Sequence, residues 1–270
     1  MKLAILFAVL LLLTGCYSPH YLNAPYAANV PLIKAKKDMH LSGNLSVNPF
    51  GINEVFDLNH LTTSLGGDLN VGYAFSKKFM GLGSFGFRSE KNPGVTYDSF
   101  AAKAMRYKRN FTQLGAGYYT KIGGNEQAIF QLSALGGLGF NKITGPDDTN
   151  MVEDFYRYKT YSFTLQPAII LNAKKLTATF SSGISVVKYG GISTNYSTLK
   201  AQRYLVEDLD GQVYTFWQPA IGASRMISKK NDIRAQIQMG MLLLMSKKFI
   251  DTRSFNISIG ASKTFHKKPA

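Results

Sequence analysis

Cysteine occurs once in 270 residues, at Cys16, so the chain can close no disulfide within itself. Histidine occurs four times, and His20, His40, His60 and His266 never pair at the spacing of a zinc site. Acid is scarce as well: 16 Asp and Glu stand against 31 Lys and Arg, a formal charge of +15. Asp147-Asp148 and Asp208-Leu209-Asp210 are the notable carboxylate clusters, and neither has the regular oxygen ligands and fixed glycine of a calcium loop. The one unbroken hydrocarbon run, Leu3 to Leu13, is too short to span comfortably as a mature helix. No metal is expected. The excess of cations suits anionic partners, yet it is scattered through turns and loops rather than gathered on one helix or stripe. That scatter favours acidic lipid headgroups, lipopolysaccharide or phospholipid, over nucleic acid.

What is present begins at the N-terminus. Met1-Lys2 supplies a positive start, Leu3 to Leu13 an apolar core, and Leu13-Thr14-Gly15-Cys16 sets small residues before a cysteine. This resembles the lipobox of bacterial lipoproteins, a match confined to residues 1–16. The resemblance implies cleavage before Cys16, a diacylglycerol thioether on its sulfur and a further acyl chain, such as palmitate, on its amino group. That covalent lipid is the only cofactor expected, and several acyl chains together hold a protein firmly. Tyr17, standing where an Asp would retain the protein at the inner membrane, implies transfer to the outer membrane. Tyr21-Leu22-Asn23-Ala24-Pro25 and Asn29-Val30-Pro31-Leu32 also resemble the leader of uncharacterised outer-membrane lipoproteins. Pro19, Pro25 and Pro31, with Lys34, Lys36 and Lys37 after them, make 17–37 read as an extended tether. The expected organisation is a signal peptide over 1–15, a lipidated end and tether over 16–37, a barrel over 38–265, and a basic tail over 266–270. The lipidated end and the start of the barrel are expected on the periplasmic side.

Beyond the tether the sequence alternates with period two, the mark of strands with one apolar and one polar face. Over 64–76, Leu65, Leu69, Val71, Tyr73 and Phe75 share one face, while Ser64, Asp68, Asn70 and Ser76 share the other. The pattern returns at 127–141, 176–187, 232–245 and 253–265, and more weakly near 38–47, 79–88, 107–121, 156–171 and 212–226. Over 79–88 the face is ambiguous, because Met80 and Leu82 compete with Phe79, Phe85 and Phe87. Short turns at Ser76-Lys77-Lys78, Ile122-Gly123-Gly124-Asn125, Asn172-Ala173-Lys174-Lys175 and Ser228-Lys229-Lys230-Asn231 alternate with longer polar stretches near 48–60, 89–106, 142–155, 189–211 and 246–252. The fold expected is all-β: an up-and-down antiparallel transmembrane β-barrel of about ten strands. Polar faces rich in Ser, Thr, Gly, Asn and Gln, rather than Lys and Glu, favour apolar side chains pointing out into lipid. Gln166-Pro167-Ala168-Ile169 and Gln218-Pro219-Ala220-Ile221 repeat inside two strands, and each proline is expected to mark a bulge or bend.

Catalytic chemistry is nearly absent from the pattern. Asp208-Leu209-Asp210 lacks the histidine an omptin-type protease requires. His40 and Ser42, at the mouth, are the nearest approach to an acyl-hydrolase pair, with no acid placed to orient them, so the chain is not expected to be an enzyme. What remains is the lumen, where Asn44, Asp68, Asn70, Gln113, Gln131, Gln166, Gln218, Arg234, Gln236, Gln238 and Asn256 are expected to point inward. Asp68 and Arg234 are expected to pair. A plug of hydrogen-bonded side chains is expected over an open channel, since ten strands enclose little space. The role expected is structural or interactive, with outer-membrane lipid and a membrane-protein complex as partners. The alternatives are a narrow pore for small polar solutes and a lipid-anchored soluble barrel binding an apolar ligand.

Overall fold

Alternation with period two lets a strand turn one face to hydrocarbon and the other inward, and the chain does this ten times. In the computed structural model the strands are β1 (Met39–Val47), β2 (Thr63–Ala74), β3 (Phe79–Asn92), β4 (Met105–Ile122), β5 (Ala128–Pro146), β6 (Glu153–Asn172), β7 (Leu176–Thr194), β8 (Val213–Ser228), β9 (Ile233–Met241, resumed at Leu243–Leu244) and β10 (Phe255–Phe265). The structure describes residues 22–47, 63–92, 96–97, 100–101, 105–123, 127–146, 153–173, 175–198, 201, 206–229, 232–246, 250, 252 and 255–266. Cys16 and the signal peptide, His60, Asp147-Asp148 and most of the basic tail lie outside them.

Each strand pairs antiparallel with the next, and β10 returns to β1 from Met39 opposite Phe265 to Val47 opposite Ile257. The ladder is therefore a closed ring with no free edge, the condition for a sheet in lipid. Short turns over 75–78, 123–127, 173–175 and 229–232 gather at one end, with the longer connections at the other. In the first turn Ser76 Oγ accepts from the backbone amides of Lys78 and Phe79.

The outer face is oily. Leu45 and Leu114 are each 68% exposed, and Leu69, Phe85, Phe163 and Ile259 stand out with them. Polar groups such as Asn70, Gln131, Arg109 and Asn256 are buried inside. A closed wall with this inverted distribution is a transmembrane β-barrel. At the turn end Phe75 stacks on Phe79, and Phe79 meets the edge of Tyr118, as an interfacial aromatic girdle does. The ambiguous strand β3 resolves by parity: Phe79, Phe85 and Phe87 face out, and Met80 and Leu82 face in.

Three expectations change. Strands β4 to β7 run 18, 19, 20 and 19 residues, so much of the expected loops 89–106, 142–155 and 189–211 is strand. A bilayer needs only about 9–11 residues, and the short turns fix the other end, so the surplus projects on the loop side. The repeated prolines mark no bulge. Pro219 sits in register opposite Ser182, and the β6–β7 ladder resumes at Ala168 in the register it had at Leu165. A proline removes a donor without inserting a residue, so the register survives it. The shifts lie between Arg157 and Lys159 and between Met226 and Ser228. Finally, residues 22–33 are no free tether, because they run inside the barrel.

Candidate functional site: a filled lumen

Wall side chains grip the inner segment along its length. Gln238 makes two bonds to Ala28, accepting from its amide at 2.7 Å and donating to its carbonyl at 3.2 Å. Gln166 Nε2 donates to the carbonyl of Asn29 at 3.1 Å, and Gln131 Nε2 to that of Pro31 at 2.7 Å. Asn29 returns the contact, its amide donating to Gly83 O at 2.9 Å and Ser84 Oγ at 3.0 Å. Such bonds satisfy a backbone with no ladder of its own, which in a water-poor interior would otherwise cost free energy at every group. Two glycines make room for the segment. A Cβ at Gly72 would lie 2.6 Å from Pro31 Cβ, and one at Gly86 would strike the Phe111 ring, which packs 3.7 Å from Tyr26.

The direction of the segment follows from its neighbours. Leu22 O accepts from the Tyr158 hydroxyl, and Asn23 bridges to Thr252 in the long β9–β10 connection, so the segment enters at the loop end. It reaches the turn end at Asp38, whose Oδ2 accepts from the amides of Lys34 and Ala35 at 3.0 Å. Asp38 Oδ1 meets His266 Nδ1 at 2.9 Å, and His266 Nε2 meets Asp232 Oδ2 at 3.0 Å, fastening the segment to the β8–β9 turn. Partial burial alone would lower the His266 pKa, but hydrogen bonds and charge from the two carboxylates outweigh it and raise the pKa.

Above and below the polar grip the filling is apolar. On the loop side Tyr156, Tyr158, Tyr189 and Tyr214 pack with Leu22 and with Val206 and Leu209 from the β7–β8 connection. Leu242, at the break in β9, points into this cluster. On the turn side Leu32 and Ile33 pack on Met80, Leu82, Ile129 and Ile170. Between them sits a charged network. Arg88 Nη2 donates to Asp68 Oδ2 at 3.0 Å and to Asn256 Oδ1 at 3.2 Å, while its guanidinium lies 4.8 Å from the Tyr26 ring centre. Arg109 pairs with Glu90, and Ser46 donates to Asp68.

Asp68 therefore pairs with Arg88 and not with Arg234, a correction to the sequence expectation. Arg234 instead reaches Asp232 at 3.3 Å and Thr177 Oγ1 at 2.8 Å, because it stands near the turns and Asp68 stands higher. Gln236 donates to Asn44, Asn70 is buried, and Gln218 is half-buried on the inward register. The hydrogen bond of His40 Nδ1 goes to Thr264 Oγ1 at 3.0 Å, and not to Ser42. His40, Ser42 and Arg234 line a recess of about 560 Å³, its open mouth included, beside Ala28, Val30 and Leu32. Sequence reasoning missed Tyr26, Asn29, Arg88, Glu90 and Arg109. Charged residues on the inward parity of β3 and β4 were the signal that could have found the last three.

Fold and lumen together define a transmembrane β-barrel occluded by its own N-terminal segment. No protein-family model matches the chain, and no curated protein does. Among solved structures, the translocator domain of the autotransporter NalP from Neisseria meningitidis is similar, with a TM-score of 0.51 and 9% identity over 86% of this chain and 89% of that one. The outer membrane protein OprG from Pseudomonas aeruginosa aligns with a TM-score of 0.34 and 13% identity over 87% of this chain and 100% of that one. The NalP likeness shows the fold alone.

Proposed function

We propose that the chain is a lipid-anchored outer-membrane barrel whose role is structural or interactive rather than conductive. One observation carries this reading: Gln131, Gln166 and Gln238 reach from three strands to the backbone of residues 28–31 and tie the segment across the lumen. A pore for polar solutes would need a continuous wet path, and the tyrosine cluster fills the loop half. Short turns face the periplasm in barrels of this kind, so the loop end faces outward. Cys16 is the acylation site in this reading. Leu22 lies at the loop end, and six residues reach at most about 20 Å when extended, so the acyl chains enter the loop-side leaflet. This reading sets the lipidated end on the loop side, where the sequence alone led to the periplasmic side.

The test is planar-bilayer conductance of the purified full chain beside a variant lacking residues 22–33, with heat-modifiable gel mobility confirming closure of both. The full chain should be silent and the truncated barrel should conduct. A steady conductance from the full chain would sink the occluded-barrel reading. Mass spectrometry of the mature chain and of Cys16→Ser tests the anchor separately.

A further inference from the structure

The surplus length of β3 to β7 carries a feature that the filled lumen does not explain. On the outward parity of these strands, beyond the apolar band, seven cations stand together. Lys91 stands directly opposite Arg106 across β3 and β4. Lys108, Lys142 and Arg157 stand opposite one another on β4, β5 and β6, an unbroken row. Lys159 and Lys188 continue the patch on β6 and β7, and all but the half-buried Lys142 are exposed. Like charges directly opposite across strands repel, so the row is unfavourable unless an anion lies over it. Of the acids near this level, Glu90 and Asp154 are buried on the inward parity, Glu153 opens β6 beyond the row, and Glu207, Asp208 and Asp210 belong to the β7–β8 connection rather than to the wall.

The patch is also one-sided. At the loop end of β8, β9, β10, β1 and β2 the described outward residues are Val213, Met241, Leu243, Phe255, Val47 and Leu65, with no cation. Beneath the patch lie exposed aromatics: Phe87, Phe140 and Tyr161, with the Lys159 ammonium 5.9 Å from the Phe140 ring centre. That order, hydrocarbon then aromatic then cation, sets the charges at headgroup depth.

We infer that the outer wall of β3–β7 is a binding face for a lipid bearing two phosphates on a saccharide headgroup, as lipid A does. Two strand spacings separate Lys108 from Arg157, about 10 Å, so the row suits phosphates held apart on one rigid headgroup. Arg157 offers a planar fork for one phosphate, and the lysines act as point charges. The inference rests on the loop end facing the outer leaflet, and it gives the interaction role of the barrel a partner.

The experiment uses the full chain in detergent micelles, with lipid A binding read by native mass spectrometry. Bound fractions are compared with those for phosphatidylglycerol and for lipid A stripped of its phosphates. Each cation near a headgroup contributes about fivefold, so the triple variant Lys108→Gln, Lys142→Gln, Arg157→Gln should bind lipid A about a hundred-fold more weakly. Removing the same charge at the turn end, with Lys77→Gln, Lys78→Gln and Lys175→Gln, should change binding less than threefold. Lys108→Arg with Lys142→Arg should restore it. Equal losses from both triple variants, or equal binding of phosphatidylglycerol and lipid A, would overturn the assignment. Gel mobility and conductance of the same samples report closure and occlusion independently, so a failed lipid site and a failed occluded barrel give different results.

Discussion

Replacing Arg88 with Met keeps the aliphatic stem and deletes a guanidinium from a pair whose side chains are both fully shut off from solvent. Asp68 is then left buried in the lumen without its cation, beside the Ser46 hydroxyl. Breaking a buried pair from one side costs about 3–5 kcal/mol. Losing the guanidinium over the Tyr26 ring, 4.8 Å away, adds about 1–2 kcal/mol. The single variant should therefore lose about 4–7 kcal/mol. Asp68→Asn alone should cost about 3–5 kcal/mol, since it strands the cation. The double variant carries neither charge, and its loss should fall short of the two single losses together by about 2–3 kcal/mol. Urea unfolding in lipid–detergent micelles measures all three, followed by emission of Trp217, the single tryptophan, which stands on the outer wall. Losses that add to within about 0.5 kcal/mol would mean the two groups are not coupled, and the network would not exist as described.

Two further outcomes follow from the inner segment. Because the folded His266 pKa is raised, the clasp to Asp38 and Asp232 is fully present below the unfolded value of about 6.5 and is lost as pH rises through the folded value. The urea midpoint should accordingly fall on going from mildly acidic to alkaline buffer, and the part due to the clasp should vanish in His266→Gln. Ile33 is fully buried against Met80, Leu82 and Ile170, so Ile33→Ala should cost about 2–5 kcal/mol in the same unfolding assay. A residue in a solvated tether would cost less than about 0.5 kcal/mol.

Strand count and outward faces were legible because period two is a local property of the sequence. Leu65, Leu69 and Val71 face out whatever fills the centre. The face of β3 was not legible, since Met80 and Leu82 are apolar yet point inward. They break the pattern because Leu32 and Ile33 lie against them, and that contact belongs to a segment distant in sequence. The same non-locality hid the inner segment itself: proline-punctuated and ladderless, it looks alike in solvent and in a lumen. Gln131, Gln166 and Gln238 could be placed on the inward face, but what they hold could not. The Asp68 partner was missed because three arginines, Arg88, Arg109 and Arg234, face inward, and only height and place around the ring separate them.

A rod already seated in a tube constrains how the tube is made. Residues 22–38 pass straight into β1, and β1 closes the ring against β10, the last strand to be synthesised. Had the ring shut first, the whole leader would have had to be drawn down through a packed interior of tyrosines. An order in which the leader settles on the concave face of an open sheet, and the seam from Met39–Phe265 to Val47–Ile257 closes over it afterwards, avoids that passage.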